Sequence, residues 1–255
     1  MQLWTQTHAK TLLPALAAML VIAFVLRLLL AKKDMKYRMI PFQILACLLF
    51  IIEIGKQVVS YRQGYDLYHL PFHFCSLFIF MLPIMAFYRG KHTATVRHIT
   101  SAISGAMLLL LLIYPCLIYS DGNIKEFFTN YLSFHTVAFH NMVMFAFILI
   151  VALDLCENDT KPHSKAIIIF TAIFCAVSAT MAHLLKTNFA NFYTCNIAPL
   201  ETVRLAVQNA AGYVPAQILY VTIVSLLNIG FVYMSHCFYR LLNKIFAQKA
   251  PVKSA

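Results

Sequence analysis

Residues 12–30 read LLPALAAMLVIAFVLRLLL, a run with a single charge, Arg27, near its end. An α-helix needs about 20 mainly apolar residues to cross about 30 Å of hydrocarbon, so the run has the length of a membrane span. Lys32 and Lys33 follow it instead of preceding it. That is the reverse of a signal peptide, and the helix is expected to be retained and to enter from outside. Arg27 is close enough to the inner end to snorkel.

Six further segments meet the same demand, at about 40–59, 70–88, 99–119, 131–154, 166–185 and 214–236. The chain is 61% hydrophobic and 11% charged, whereas roughly a quarter of a soluble domain is charged. A water-soluble fold of this length could not bury so much apolar surface. The expectation is all-α: a polytopic membrane helix bundle of about seven transmembrane helices, one integral membrane domain over residues 1–255. Pro83, Pro115 and Pro215 should each kink or end a helix.

The net charge of +11 would suit nucleic acid only if the basic residues formed a patch. They alternate between loops instead. Lys32, Lys33, Lys36, Arg38, Arg89, Lys91, Arg97, Lys161, Lys165, Arg240, Lys244, Lys249 and Lys253 fall on one side, against Lys10, Arg62, Lys125, Lys186 and Arg204 on the other. This is the positive-inside pattern, which puts the N-terminus outside and the C-terminus in the cytoplasm, as in a multi-pass protein of the cell membrane, and leaves nucleic acid no role. The seven cysteines include no CxxC pair, and most sit in apolar segments as small hydrophobes.

Ionisable groups within a bilayer are costly and mark function. Glu53 and Lys56 lie near the outer end of the second helix, three residues apart and able to neutralise one another. HLPFHFCSL (69–77) carries His73 and Cys75, SFHTVAFHNMVM (133–144) carries His135, His140 and Asn141, and ATMAHLLKTN (179–188) carries His183 and Asn188. Four segments thus deliver polar groups to the outer leaflet. The plain alternative is that each histidine is an interhelical hydrogen-bond partner. His92, His98 and His163, in inner loops, and His236, at the inner end of the last helix, receive no role.

On a regular helix His73 and Cys75 point about 200° apart, so a base for the thiol must come across the bundle, from His135 or His140. Those two lie about 140° apart, so one should face the cavity and the other a neighbouring helix. There is no HExxH and no i,i+4 histidine pair, and neither a metal nor another cofactor is expected. Residues 186–213 are too long for a tight connection and read as an ordered outer cap or re-entrant loop.

HLPFHFCSLFIFMLPI (69–84), SFHTVAFHNMVMFAFILI (133–150) and KTNFANFYTCNIAP (186–199) resemble the YwaF-like bacterial integral membrane proteins, which are related to a eukaryotic transmembrane acyltransferase that remodels ether phospholipids. The likeness runs from about residue 40 to 235. It implies a lipid-facing cavity in which a cysteine and a histidine carry an acyl group from a phospholipid donor to a lysolipid acceptor. Cys75 would attack the ester, and His140 or His135 would shuttle the proton. Asn188 or Asn191 would hold the oxyanion, with Lys56 and Arg204 on the phosphate and Glu53, Asn141 and His183 beside the substrate. If Cys75 only packs, His73 would serve as the base of a direct transfer. Acyl-ester hydrolysis shares this chemistry. A small-solute transporter and a sensor or assembly factor are the other classes, although no inverted repeat is evident for transport.

Overall fold

The computed structural model describes residues 4–156, 161–195 and 198–246. Thr5 starts the first helix, α1 (Gln6–Leu30): its hydroxyl accepts from the His8 N–H while the His8 ring accepts from the Thr5 N–H. This is a capping box with imidazole in place of the usual Glu or Gln. There follow α2 (Met35–Arg38), α3 (Ile40–Arg62), α4 (Phe78–Phe87), α5 (Thr93–Ile113), α6 (Asp121–Lys125), α7 (Tyr131–Ala152), α8 (Lys161–Leu184), α9 (Ala198–Ala211) and α10 (Tyr213–Phe246). No strand occurs among the described residues.

Six helical stretches are long and apolar enough to cross a membrane: Gln6–Leu30, Met35–Arg62, Thr93–Ile113, Tyr131–Ala152, Lys161–Leu184 and Tyr213–Ile245. The chain is a polytopic helical membrane protein. The expected third span, 70–88, is corrected: only Cys75–Phe87 forms a shorter apolar helix. Before it the backbone runs through a 3-10 turn, Leu67–His69, and an irregular stretch around Pro71. Ser178 of α8 donates its hydroxyl to the Phe72 carbonyl, so a neighbouring helix satisfies backbone that a regular span would have satisfied itself.

Two other boundaries moved for visible reasons. α5 begins at Thr93 rather than 99, which carries His98 out of the expected inner loop and into the fully buried interior. It ends at Ile113, because Pro115 opens a 3-10 turn. Pro215, by contrast, sits in the first turn of α10, where its missing N–H has no helical partner to lose.

Hydrogen bonds sort the element ends onto two faces. At one, Trp4 donates to the Leu112 carbonyl, and Glu53 of α3 meets His135 of α7. At the other, Gln43 meets Ala86, and three arginines gather on the end of α7: Arg27 donates to Ala152 O, Arg38 to Leu153 and Asp154 O, and Arg97 to Leu155 O. The last carbonyls of a helix lack intrahelical partners and carry the negative end of its dipole, so cations belong there. Arg27 therefore does more than snorkel.

α5 is the central helix, with every residue from His98 to Leu108 buried. Thr100, Ser101, Ala102, Ser104, Gly105 and Ala106 keep it slim, and small residues are what let membrane helices approach closely. A Cβ on Gly105 would stand 2.4 Å from Ser235 Oγ of α10 and 2.6 Å from the Phe147 ring of α7. Gly105→Val is expected to cost about 1–3 kcal/mol by overpacking, seen as a lower unfolding midpoint of the full chain in detergent. Gly230, whose Cβ would meet open space, is the control and should change little.

Candidate functional site

Three of the four segments expected to converge do so. α3, the 68–76 stretch and α7 close around a cavity of about 390 Å³ whose walls include Glu53, Lys56, His73, Cys75, His135 and His140. Met107, Leu110 and Leu111 of α5 supply an apolar floor, and Ala190 reaches in from the loop after α8.

The irregular backbone before Cys75 overturns the helical separation of His73 from Cys75, and both line the cavity. The thiol instead sits where the short helix begins. His73 donates its Nε2 proton to the Tyr68 carbonyl at 3.0 Å and lies between the Tyr68 and Phe189 rings.

The expectation that only one of His135 and His140 faces the cavity is also corrected. Leu132, His135, Thr136, Phe139 and His140 all line it, a stripe at i, i+3, i+4, i+7 and i+8 wide enough to hold both imidazoles at its edges. His135 turns across to α3, its Nε2 at 2.8 Å from Glu53 Oε2. His140 turns back on its own helix, with Nδ1 at 2.6 Å from the Thr136 carbonyl. A carbonyl only accepts, so Nδ1 holds the proton and the neutral ring keeps its lone pair on Nε2. No imidazole of this cavity bonds to the Cys75 thiol; the partners are Tyr68, Glu53 and Thr136.

Glu53 is the hub of the rim. Besides His135, its carboxylate accepts from Gln57 Nε2 at 2.8 Å and from the Lys56 ammonium at 3.1 Å. The mutual neutralisation read from the i,i+3 spacing is therefore present, with the imidazole added. Gly55 makes the approach of α3 to α7 possible, because a Cβ there would stand 2.0 Å from the Tyr131 hydroxyl, which itself donates to Ile52 O. Burial pushes the Tyr68 phenol above its usual range and holds the His69 imidazole below its own. Both cavity-lining groups are thus neutral at pH 7.

Five expected site residues lie elsewhere. Asn141 joins α7 to the turn after α5, accepting from Tyr119 at 2.5 Å and donating to Val137 O. Asn188 accepts from the Tyr193 and Thr194 N–H groups and holds the loop after α8 together, while the Asn191 carbonyl accepts from Tyr220. Arg204 of α9 is forked onto Glu201 at 2.6 and 2.7 Å. His183 lines a different cleft. Tyr68, Ser76 and Thr136 line the cavity without having been expected there; the α7 stripe was a signal for Thr136, and nothing local marked the others.

At the opposite face His98 stacks on His163 at 4.2 Å and meets His236 edge-on at 5.8 Å, while Ser164 stands 3.3 Å from His236 Nε2. His98 and His236 are fully buried, so this trio belongs to the packing of α5, α8 and α10, and the placement of His98 and His163 in open loops does not hold.

No curated protein and no solved structure matches the chain. A family model does match, over residues 3–234, and the chain belongs to the TMEM164 family.

Proposed function

We propose that this protein transfers a fatty acyl group from a phospholipid to a lysolipid, or to water as a hydrolase, through Cys75 and His140. The observation that carries the reading is one cavity holding a thiol at a helix start, an imidazole whose Nε2 lone pair is left for chemistry, and an apolar floor for a chain. The resemblance of the 69–84 and 133–150 segments to a lipid acyltransferase lineage points the same way.

In this reading Cys75 Sγ attacks the ester carbonyl and its proton passes to His140 Nε2. The tetrahedral intermediate collapses, the C–O bond breaks, and His140 returns the proton to the departing lysolipid alkoxide, leaving a thioester. The acceptor hydroxyl then gives its proton to His140 and attacks the thioester; the C–S bond breaks, and His140 returns the proton to the Cys75 sulfur. Asn188 and Asn191 stand outside the cavity, so Ser76 takes the donor role toward the oxyanion. Lys56 alone is left to meet the phosphate. On the orientation given by the loop charges, the cavity opens at the extracytoplasmic leaflet.

The test uses full-length protein and a phospholipid carrying a labelled acyl chain. Intact mass should show an adduct of one acyl group on the wild type and none on Cys75→Ala. Equal turnover by Cys75→Ala would exclude the thioester and leave His73 as base of a direct transfer. Absence of turnover with every phospholipid, alongside solute uptake into vesicles, would end the enzyme reading.

A further inference from the structure

The Cys75 cavity has a blind end. α5 runs from the face of the three arginines toward Trp4 and α7 runs the opposite way, so Met107 is the deepest α5 residue on the cavity wall and His140 the deepest of α7. Cys75 and Ser76 stand on the third side, just before α4 heads for the arginine face. One turn further in, Ile103 and Ser104 of α5, Val143 and Met144 of α7 and Phe78 of α4 are all fully buried, and none of them lines the cavity. The Ser104 hydroxyl donates to the Thr100 and Ser101 carbonyls at 2.7 and 3.2 Å, so that layer is closed and its polar group is satisfied. The thiol and the imidazole of the proposed reaction therefore stand at the bottom, while Lys56, Tyr68 and His69 stand toward the mouth.

Met107 differs from the layer beneath it. It is 5% exposed where Ile103 is closed, and on a helix packed between α4 and α7 that opening is the cavity's. Its side chain has three rotatable bonds and fills irregular gaps, which makes it the most adaptable part of the floor. An ester whose carbonyl reaches Cys75 keeps its polar head toward Lys56 and lays its chain against Leu110, Leu111 and Phe139. Below Met107 that chain has nowhere to go. We infer that Met107 sets the longest acyl chain this cavity accepts: chains up to the limit are held whole, and each carbon beyond it must displace a packed side chain. The inference rests on the acyl-transfer reading for its substrate and on the blind end for its limit.

The test needs no turnover: alkyl methanethiosulfonates of rising chain length are added to the full-length protein in nanodiscs. The Cys75 sulfur takes up the alkylthio group as a disulfide, and methanesulfinate leaves with the thiol's proton. Peptide mass separates Cys75 from Cys47 and Cys237, which are exposed. Labelling of Cys75 should proceed up to one chain length and then slow at least about tenfold with each further carbon. Met107→Ala should move that limit out by about three carbons, one for each heavy atom lost beyond Cβ. Met107→Phe should move it in, and Met107→Leu, of nearly equal volume, should leave it in place. Labelling of the wild type that does not fall with chain length, or a limit unmoved in a folded Met107→Ala or Met107→Phe, would overturn the inference. A limit that follows residue 107 in a protein that turns over no phospholipid would end the acyl-transfer reading and leave Met107 as the measure of chain length.

Discussion

Replacing Glu53 with leucine is expected to lower the stability of the bundle by about 3–5 kcal/mol, among the largest effects of any single side chain at this face. Glu53 is the acceptor for three side chains, His135, Gln57 and Lys56, and its own side chain is 8% exposed. Removing it strands the Lys56 ammonium, whose side chain is 13% exposed, and takes from α7 the tie of His135 to α3. An unpaired buried charge costs more than the pair contributed, and this is where the magnitude comes from. Water entering the neighbouring cavity draws the figure toward the lower end. Glu53→Leu combined with Lys56→Leu should recover most of the loss, because the stranded charge leaves with its partner. Thermal unfolding of the full chain in detergent measures both variants. An unchanged midpoint for Glu53→Leu would mean that apolar packing and the Tyr131–Ile52 hydrogen bond join α3 to α7 without it.

Depth in the membrane was legible; direction around a helix was not. A residue's level follows from its place in an apolar run, so Glu53, His73, Cys75, His135 and His140 could be set at one height from the sequence, and the structure gathers them round one cavity. His183, Asn188 and Arg204 were set at the same level but face other neighbours. Which way a side chain turns depends on the helix packed against it, as with Gln217, 34 residues on from His183, across the second cleft.

The short helix after Cys75 was missed for a related reason. Residues 70–88 have the composition of a span, and composition counts apolar side chains without testing whether each carbonyl has a donor. Pro71 gave no warning, because proline is tolerated in the first turn of a helix, as Pro215 is in α10. The donor that replaces helical bonding at Phe72, the Ser178 hydroxyl, comes from 106 residues away, beyond any local pattern. The α7 stripe from Leu132 to His140 was legible in principle, since positions at i, i+3, i+4, i+7 and i+8 share a face. The 140° between His135 and His140 alone does not show it, because the stripe spans that angle with both at its edges.

His140→Phe is expected to lower kcat for acyl transfer by about 10²–10⁴-fold while leaving the unfolding midpoint close to wild type. The separation of rate from stability follows from what each histidine touches. His140 makes its ring hydrogen bond to a carbonyl of its own helix, Thr136 O, so losing it breaks no link between helices, and phenylalanine preserves the edge-on contact with Phe139. His135, bonded to Glu53 across the α3–α7 contact, should behave in the opposite sense: His135→Phe lowers the midpoint and affects rate mainly through the disturbed rim. Thr136→Val tests the geometry separately. The carbonyl that orients His140 is backbone and stays in that variant, so transfer should persist. Single-turnover rates and unfolding midpoints on the same preparations decide the assignment. Full transfer by His140→Phe, with loss in a folded His135→Phe, would move the base to His135 and make the His140–Thr136 contact structural only.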